Sequence, residues 1–436
     1  HRVAPVNWST GLEVTGEELE RAVSRMKRGT APGPDGIPGR ALALAVATLG
    51  DGLRQMFNTC LRHSTFPTSW KEARMVLLKK EGRPADSPSA YRPICLLDET
   101  GKLFERVLAA RLVQHLSRDG PDLADCQYGF RQGRSTMDAI LRVRSLSEQA
   151  VSQGKVALGV SLDVTNAFNT VPWEKIREAL VAHRVPPYLR EVIGSYLSDR
   201  RIHFVGRYGE LHHRVVDCGV PQGSVLGPLL WNLAYDAVLR ADLPHGVYVI
   251  CYADDIFILA VEEDFGRTIR LAEVAVATVV ARIHALGLSV SEAKTEAMFF
   301  HGLPRRSQPP PSWIRVGDSY VRVSQYIKYL GLTLDGRWCF DEHFDRLAPR
   351  LLATANALCG ILPNLGGPRE SVRRLYLGVV RSMALYGAPV WSADLVASRR
   401  SLDSLRRVQR RLAIRVVRGY RTISYEAATL LSRFPP

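Results

Sequence analysis

The sequence has few cysteines, and none of them lies in a pattern that would hold zinc or form a dense disulfide framework. Its 436 residues contain seven cysteines, an odd number, and the seven are widely spaced with no C-x-x-C pair. Zinc ribbons and redox motifs rely on such pairs, and small secreted domains rely on closely spaced, even sets. We therefore expect reduced thiols in an intracellular protein.

Long apolar runs are also lacking. A membrane-spanning helix needs about 20 consecutive, mainly apolar residues, and a secretion signal needs a basic region followed by an apolar stretch. Neither pattern occurs, so we expect no membrane anchor and no secretion signal. Because the sequence begins with His1, we also expect that it was cut from a longer protein, with targeting and accessory domains outside it.

Acidic residues are outnumbered by basic ones. The formal net charge is +15 at pH 7, and the sequence pI is about 9.7. Lysine and arginine neutralise phosphates and release counterions, so this excess points to a polyanionic partner. A basic surface also occurs on proteins that bind no nucleic acid, and the charge alone leaves that class open. The hydrophobic content of 46% supports a substantial core, which excludes a disordered chain.

The apolar pattern predicts a mixed α/β region followed by an all-helical, arginine-rich part that begins at about Asp341. Thr15 and Glu18 form a capping-box pattern, which predicts a helix that continues to about Lys27. Two β-branched runs within 247–261 predict a hairpin whose turn carries two acids. The other predicted elements are helices over 40–62 and 101–117, strands over 74–78 and 156–164, a loop over 82–93, a Pro-rich connector over 304–311, and a short strand region that ends at about 334.

Three aspartates are candidates for metal chemistry. Asp163 ends one predicted strand, and Asp254 and Asp255 occupy the tip of the predicted hairpin. One sheet can bring all three to the same edge, and carboxylate oxygens are the ligands that Mg²⁺ prefers. Two such ions, about 3.5–4 Å apart, support an in-line displacement at phosphorus. Each motif also has a simpler interpretation: Asp163 as a helix cap, and the Asp254–Asp255 pair as an ordinary acidic turn.

Nine motif blocks follow one another in order between about residues 30 and 335. They are APGPDGIP from Ala31, WKEARMVLLKKEGR from Trp70, YRPICLLDETGKLFERVL from Tyr91, YGFRQGRST from Tyr128, SLDVTNAFNTVPW from Ser161, CGVPQGSVLGPLLWNL from Cys218, CYADDIFILA from Cys251, GLSVSEAKTEAMFF from Gly287 and YLGLTLDG from Tyr329. This succession resembles the blocks of reverse transcriptases. It is most similar to the non-LTR (LINE-type) retrotransposons, and group II introns or bacterial relatives are the alternative.

The resemblance implies a fold of the α/β (α+β) class, the right-hand polymerase with fingers, a ferredoxin-like palm and a helical thumb. On this basis we expect an N-terminal extension over 1–29 and fingers over 30–160. A palm with a split βαβ core is expected over 161–340, with some finger elements interleaved at 170–215. A basic helical thumb and C-terminal extension would cover 341–436.

The resemblance also assigns roles around the three acids. Asp163, Asp254 and the adjacent third acid Asp255, with the Val164 backbone carbonyl, would hold two Mg²⁺ ions, or Mn²⁺ in their place. Phe168 matches the aromatic gate that collides with a ribose 2′ hydroxyl, which implies a deoxynucleotide substrate. A core aromatic in the first turn of a helix is its simpler interpretation. Where the family usually has Asp after Ala-Phe, this sequence has Asn169; the missing charge is no expected metal ligand, so we expect activity to survive.

Further residues match the nucleotide site of the family. Gln222 and Gly223 correspond to the loop that supports the incoming nucleotide and the template base. Lys80 and Arg92 fall where the fingers place basic groups on the triphosphate, with Lys79 as the alternative to Lys80. The family proposes that the lysine matching Lys294 protonates the departing pyrophosphate. A lysine that only faces solvent is the other interpretation of Lys294.

The C-terminal arginines are predicted to contact nucleic acid. Between Ser401 and Arg421, apolar residues keep a helical spacing while arginines fill the remaining surface. A solvated arginine face is the usual explanation of such a run, but the corresponding segment of the family is the thumb, which holds a primer–template duplex by its phosphates. The predicted phosphate-binding residues are Arg406, Arg407, Arg410, Arg411, Arg415 and Arg418.

The function implied by the resemblance is RNA-directed DNA polymerisation, with a nicked chromosomal target as the primer. The expected partners are template RNA, primer DNA, deoxynucleotides and flanking endonuclease or nucleic-acid-binding domains, with no membrane. The expected location is the nucleus at the site of action, after assembly with RNA in the cytoplasm. An RNA-dependent RNA polymerase and a non-catalytic nucleic-acid-binding protein are the two rivals. Phe168 argues against the first, and the three intact acids argue against the second.

Overall fold

The computed structural model describes residues 8–433 except 28, 81, 83, 85, 88–89, 207, 305–306 and 361–367. The predicted change from mixed α/β to all-helical structure is present within these residues. The helices are α1 (Gly16–Ser24), α2 (Gly39–Arg62), α3 (Glu99–Arg118), α4 (Thr136–Ser152), α5 (Ala167–Thr170), α6 (Trp173–Ala182), α7 (Pro187–Leu197), α8 (Gly227–Leu239), α9 (Phe265–Ala285), α10 (Asp341–Gly360), α11 (Glu370–Ala384), α12 (Ala388–Ala397), α13 (Arg399–Val417) and α14 (Tyr425–Ser432). The strands are β1 (Glu72–Lys79), β2 (Tyr91–Leu96), β3 (Val156–Leu162), β4 (Arg200–Val205), β5 (Leu211–Val216), β6 (Val247–Tyr252), β7 (Asp255–Glu262), β8 (Glu296–Phe300), β9 (Trp313–Val316), β10 (Ser319–Ser324), β11 (Tyr326–Tyr329) and β12 (Leu332–Asp335).

The N-terminal helix begins with the predicted capping box. The Glu18 N–H donates to the Thr15 side chain at 3.2 Å, and the Thr15 N–H donates to the Glu18 carboxylate at 3.1 Å. These bonds satisfy two N–H groups that the first turn leaves without partners. The helix ends at Ser24, before the predicted Lys27.

The APGPDG segment packs against the start of α3. The Asp35 N–H donates to the Asp98 carboxylate at 3.1 Å. A Cβ on Gly33 would lie 2.4 Å from the Asp98 nitrogen, so only glycine allows this close approach. The segment therefore ties the N-terminal region to the strand and helix that follow it, β2 and α3.

The first sheet has the strand order β2-β1-β4-β5. Its edge strand β2 begins at Tyr91, so the prediction of a loop over 82–93 is wrong for its last three residues. Pro93 lies within β2 opposite Leu77, and proline is tolerated there because an edge strand leaves one row of N–H groups without partners. The Pro/Ser-rich composition of this segment predicted a loop, so the start of β2 was not recognised from the sequence.

The second sheet has six strands in the order β6-β7-β3-β8-β10-β9. Its first four strands, with α8 and α9, form the split βαβ arrangement predicted for a palm, and β3 lies between β7 and β8. Leu158 and Val160 pack in one cluster with α8 and α9, whereas Ala157 and Leu259 pack in another with α4 and the C-terminal helices. Because both faces are covered, β3 and β7 are apolar along most of their length. Strand β3 ends at Leu162, two residues before the predicted end at 164.

The C-terminal part consists of α10 to α14, and α10 begins at Asp341 as predicted. Leu412 and Val416 of α13 belong to the same hydrophobic cluster as Phe344 and Leu351 of α10. Helix α13 ends at Val417, so Arg418 lies just beyond it rather than on its surface. None of the helices described is long and apolar enough to cross a bilayer.

Candidate active site

The end of β3 and the turn between β6 and β7 meet at one edge of the six-stranded sheet. Strands β3 and β7 are antiparallel, and Leu162 pairs with Ile256. One further step in this register puts Asp163 opposite Asp255, where paired Cα atoms are roughly 4.5–5.5 Å apart. Asp254 immediately precedes Asp255, so all three predicted acids come to one edge of the sheet.

The turn that carries two of the acids is tight and strained. Tyr252 pairs with Asp255 across it, which leaves two residues, Ala253 and Asp254, in the connection. Ala253 has a φ of +60°, a left-handed conformation that costs free energy for any residue with a Cβ. The side chain of Asp254 is half-buried and that of Asp255 is exposed, so both carboxylates can meet a substrate.

The three acids interact electrostatically. Burial raises the pKa of Asp254. The negative charge of Asp163 raises this pKa further, whereas the Arg92 guanidinium lowers it. Although the Asp255 side chain reaches solvent, desolvation by the surrounding protein has the largest effect on its pKa. Together with repulsion from Asp254 and Asp163, this raises the pKa of Asp255 to about 6. Such an arrangement is one that a cation would stabilise.

The raised pKa of Asp255 predicts a pH-dependent penalty on folding. The folded protein keeps the Asp255 proton up to about pH 6, whereas the unfolded chain loses it near the ordinary value of 3.8. The folded state therefore loses stability as the pH rises from about 4 to about 6. We expect Asp255→Asn to remove this loss, so that in metal-free buffer its melting temperature exceeds that of wild type at pH 7 but matches it at pH 4. A difference that is the same at both pH values would contradict the assignment.

Asp163 does not cap the helix that follows it. The N-cap of α5 is Asn166, and the Asp163 carboxylate instead accepts a hydrogen bond from Lys294 Nζ at 2.6 Å. The Asp163 carbonyl accepts from the Ser291 N–H at 2.8 Å, which holds the segment containing Lys294 beside the end of β3. The structure therefore places the Lys294 ammonium on Asp163, although the side chain remains exposed. Its role as a proton donor to pyrophosphate stays a prediction.

The backbone groups of Val164 are not used by the bridge that this residue forms. Val164 forms an isolated antiparallel bridge with Val290, and the hydrogen bonds of that bridge use the groups of the residues on either side. Within the described ranges, no donor reaches the Val164 carbonyl. The oxygen donors fit Mg²⁺, yet no three His, Cys, Asp or Glu side chains of the described residues converge as a ready-made ligand set. Mg²⁺ commonly takes only one or two protein carboxylates beside substrate phosphates, so a converged triplet is not required.

Phe168 packs in a small aromatic group. Its ring centroid lies 5.8 Å from that of Phe130 and 5.1 Å from that of Trp231. The side chain is half-buried, so one part packs against the core while the rest reaches solvent. The Val220 N–H donates to the Phe168 carbonyl at 2.7 Å, which joins α5 to the loop that carries Gln222. The packing confirms the interpretation of Phe168 as a core aromatic, and its role as a sugar gate stays a prediction.

The Gln222 loop packs against β2 of the first sheet and against α5. The Cys95 N–H of β2 donates to the Gln222 carbonyl at 2.8 Å. A Cβ on Gly223, whose φ is +128°, would lie 2.4 Å from the Cys95 carbonyl oxygen, so glycine is required at this contact. The Gln222 amide donates to the Asn169 side chain at 3.5 Å. The unusual Asn169 is therefore in contact with the predicted nucleotide loop.

One buried acid that supports this loop was missed in the sequence. Glu105 of α3 is 1% exposed, and its carboxylate accepts from the N–H groups of Val225 and Leu226 at 2.7 and 2.9 Å. These are charge-assisted bonds just before α8, where a negative charge is favourable. A carboxylate among apolar helix neighbours such as Phe104 and Leu108 was the only available signal, and it does not reveal the partner.

Arg92 and Lys80 lie on the same face of the first sheet. Leu78 pairs with Arg92 and Lys79 pairs with Tyr91, while the Lys80 N–H continues the ladder by donating to the Ala90 carbonyl at 2.7 Å. Side chains alternate along a strand, so Lys80 shares the face of Arg92 and Lys79 points to the other. Because the charge of Arg92 acts on Asp254, this shared face is the one toward the acids.

The arginines of α13 lie on a separate part of the chain and differ in their surroundings. Arg410 donates to the Arg421 and Ile423 carbonyls at 2.7 Å, and Arg418 donates to the Pro368 carbonyl at 3.3 Å. Arg406 lies 3.6 Å from Asp403, and Arg415 is only half-exposed. The two that are exposed and have no hydrogen bond or ion pair with other described residues are Arg407 and Arg411.

Comparison with known proteins gives consistent matches. The model of the family described as reverse transcriptase (RNA-dependent DNA polymerase) matches residues 78–334. A retrovirus-related Pol polyprotein from type-1 retrotransposable element R1 of Bradysia coprophila is 30% identical over 428 residues, covering 95% of this chain and 40% of that protein. A putative 115 kDa protein in element R1DM of Drosophila melanogaster is 32% identical, covering 96% of this chain and 40% of that protein.

The chain thus spans about 40% of the length of these curated relatives. A probable RNA-directed DNA polymerase from transposon BS of Drosophila melanogaster is 30% identical over 91% of this chain and 44% of that protein. Among solved structures, apo telomerase from Candida tropicalis, truncated from its C-terminal domain, aligns with a TM-score of 0.43 and 11% identity. That alignment covers 66% of this chain and 58% of that one. The resemblance predicted from the motif blocks is confirmed, and the chain belongs to the reverse transcriptase (RNA-dependent DNA polymerase) family.

Proposed function

We propose that this chain is the polymerase region of a non-LTR retrotransposon, which copies RNA into DNA by adding deoxynucleotides to a primer 3′ hydroxyl. The observation that carries the proposal is the meeting of Asp163 with Asp254 and Asp255 at one sheet edge, next to Arg92 and Lys294. No nucleophilic side chain is needed, because the primer supplies the nucleophile.

Asp163, Asp254 and the Val164 carbonyl would hold two Mg²⁺ ions, with Asp255 contributing negative charge beside them. Bound ions of this kind lower the pKa of the attacking hydroxyl and stabilise charge on the phosphate oxygens. The fit of these residues rests on their hard oxygen donors and on the raised pKa values of Asp254 and Asp255, which are caused first by burial and then by repulsion from neighbouring aspartates.

The remaining roles fall to groups around the acids. The primer oxygen forms a bond to the α-phosphorus of the nucleotide, the bond to the bridging oxygen breaks, and pyrophosphate leaves. Arg92 and Lys80 would hold the triphosphate, for which a forked guanidinium and an ammonium are suited. Lys294 would donate a proton to the departing pyrophosphate. Phe168 would exclude the 2′ hydroxyl, and Gln222 would support the nascent base pair.

The test is primer extension on a homopolymer RNA with a matched DNA primer, with magnesium and with EDTA. We expect extension by deoxynucleotides only when magnesium is present. Extension by ribonucleotides in preference would support an RNA-dependent RNA polymerase instead. Absence of extension by a folded protein that still binds the duplex would support the non-catalytic alternative.

The wider setting is part of the same proposal. The relatives are more than twice as long as the matched region, which supports flanking endonuclease or nucleic-acid-binding domains in the whole protein. Such domains would nick a chromosomal target and offer its 3′ end as the primer. Action in the nucleus, after assembly with RNA in the cytoplasm, follows from that mechanism.

The α13 arginines would contact the phosphates of the primer–template duplex, and Arg407 and Arg411 are the best placed because both are exposed and available. We expect Arg407→Gln combined with Arg411→Gln to weaken duplex binding equally for all sequences. The slope of log affinity against log salt should become shallower by about 0.9 for each phosphate that the double variant no longer neutralises. Binding isotherms at several salt concentrations measure this effect.

A matched control changes two exposed arginines of α9, Arg270→Gln with Arg282→Gln. Helix α9 packs on the other face of the palm sheet from the cluster that includes α13. The control alters net charge equally, so it should leave the salt slope nearly unchanged. Equal slopes for wild type and the α13 double variant would contradict phosphate contact by Arg407 and Arg411.

A further inference from the structure

Gln127 is a buried polar residue that none of the roles above uses. It immediately precedes the YGFRQGRST block and is 1% exposed. Its side-chain amide makes four contacts beneath the strained turn of the acids. The amide oxygen accepts from the Ala253 N–H at 2.9 Å and the Gly129 N–H at 2.8 Å, and the amide nitrogen lies 3.3 Å from the Ala253 carbonyl and 3.4 Å from Cys251 Sγ.

The Gln127 side chain contacts both backbone polar groups of Ala253, which is unusual for a single side chain. One side chain satisfies both the N–H and the C=O of a residue held in the left-handed conformation, with a φ of +60°. A left-handed alanine persists only where its surroundings determine it, because its Cβ is crowded there. Trp231 Nε1 adds a second donor to the Ala253 carbonyl at 3.2 Å.

The segment around Gln127 is in close contact with the turn that carries Asp254 and Asp255. A Cβ on Gly129 would lie 2.1 Å from the Ala253 nitrogen. The Cys251 N–H donates to the Cys126 carbonyl at 2.8 Å, and the Cys251 carbonyl accepts from the Tyr128 N–H at 2.7 Å, so Gln127 forms a parallel bridge beside β6. Asn232 donates to the Gly129 carbonyl at 2.8 Å and holds this segment against α8. The turn therefore packs against a segment that is itself held in place by hydrogen bonds to β6 and α8.

We propose that Gln127 is a positioning residue that clamps the Ala253 peptide groups, so that Asp254 and Asp255 face Asp163. The inference rests on the proposed function, in which these acids bind metal. It predicts that loss of the amide changes the metal dependence of the enzyme more than its stability. A purely structural glutamine would change stability alone.

The direct variant is Gln127→Met, which keeps the volume and removes the hydrogen bonds. We expect kcat for primer extension to fall on the order of 100-fold, as for a misplacement of about 1 Å. The Mg²⁺ concentration for half-maximal rate should rise, while KM for the nucleotide and affinity for the duplex stay the same. Mn²⁺ binding followed by electron paramagnetic resonance, without nucleotide, should weaken in parallel.

The matched control is Thr268→Val in α9, which removes a buried hydroxyl whose partner is the Asp264 carbonyl, away from the acids. It should lower the melting temperature without changing the metal dependence. A second variant, Gln127→Asn, keeps an amide that is too short to reach Ala253, and it should behave as Gln127→Met does. Adding Ala253→Gly should partly restore Gln127→Met, because glycine adopts the left-handed conformation freely.

The inference is overturned if Gln127→Met and Gln127→Asn change only the melting temperature, as Thr268→Val does, with kcat and Mn²⁺ affinity equal to wild type. That result would leave the proposed function intact, since wild type would still extend primers. If wild type itself fails to extend primers, the proposed function fails. An unchanged Mn²⁺ affinity in the Gln127 variants would then separately overturn the positioning role of Gln127.

Discussion

Asp254→Asn should abolish primer extension while leaving the duplex bound. The substitution keeps the size of the side chain and removes the charge that would hold a metal ion at the turn. Bound metal commonly contributes several kcal/mol to stabilising charge in a transition state, which corresponds to a loss of about 1,000-fold or more in kcat. Single-turnover extension of a DNA primer on RNA measures the loss, and a filter-binding or anisotropy assay measures the affinity.

Asp264→Asn is the matched control for this variant. Asp264 caps α9 through a hydrogen bond from the Arg267 N–H, and asparagine caps a helix equally well. It therefore removes an aspartate charge without disturbing a helix, and extension should remain at the wild-type rate. Extension by Asp254→Asn at the wild-type rate would show that the chemistry takes place elsewhere.

Phe168→Val should admit ribonucleotides. The phenyl ring is half-buried between Phe130 and Trp231, so its position is fixed by packing rather than by its own flexibility. Overlap of a 2′ hydroxyl with a fixed ring costs about 1–3 kcal/mol, which is roughly 5- to 150-fold in selectivity. Valine removes the ring and leaves space for the hydroxyl.

The measurement for Phe168→Val is the ratio of kcat/KM for a deoxynucleotide to that for the matching ribonucleotide. We expect the ratio to fall because the ribonucleotide improves, with deoxynucleotide incorporation retained as proof that the variant is folded. A ratio equal to that of wild type would remove Phe168 from sugar selection and leave it as a core aromatic only.

The meeting of the three acids could be predicted from the sequence because each lies at a sharp boundary of local pattern. Asp163 follows an apolar strand and Asp254 lies between two others. Pairing of these strands in one sheet is therefore enough to bring the acids close together. The capping box at Thr15 and the start of α10 at Asp341 were equally local and proved correct. Strand β2 was partly missed, because its proline is acceptable only at a sheet edge and the edge is a tertiary property.

The supporting contacts could not be predicted in this way. Glu105 reaches a loop about 120 residues later in the chain, and Gln127 reaches Ala253 across a similar separation. Nothing in the local pattern of a buried Glu or Gln specifies such a partner, since the partner depends on how the sheets pack. The pairing of Lys294 with Asp163 is also a long-range contact, which the local pattern around Lys294 does not specify.

The most direct test of the shared metal site is electron paramagnetic resonance of Mn²⁺ in a complex with template RNA, a chain-terminated DNA primer and the next deoxynucleotide. We predict two bound ions with the spin coupling of a pair about 3.5–4 Å apart, and loss of the pair in both Asp163→Asn and Asp254→Asn. Uncoupled ions, or a coupled pair that persists in those variants, would contradict a metal site formed between the end of β3 and the turn of Asp254 and Asp255.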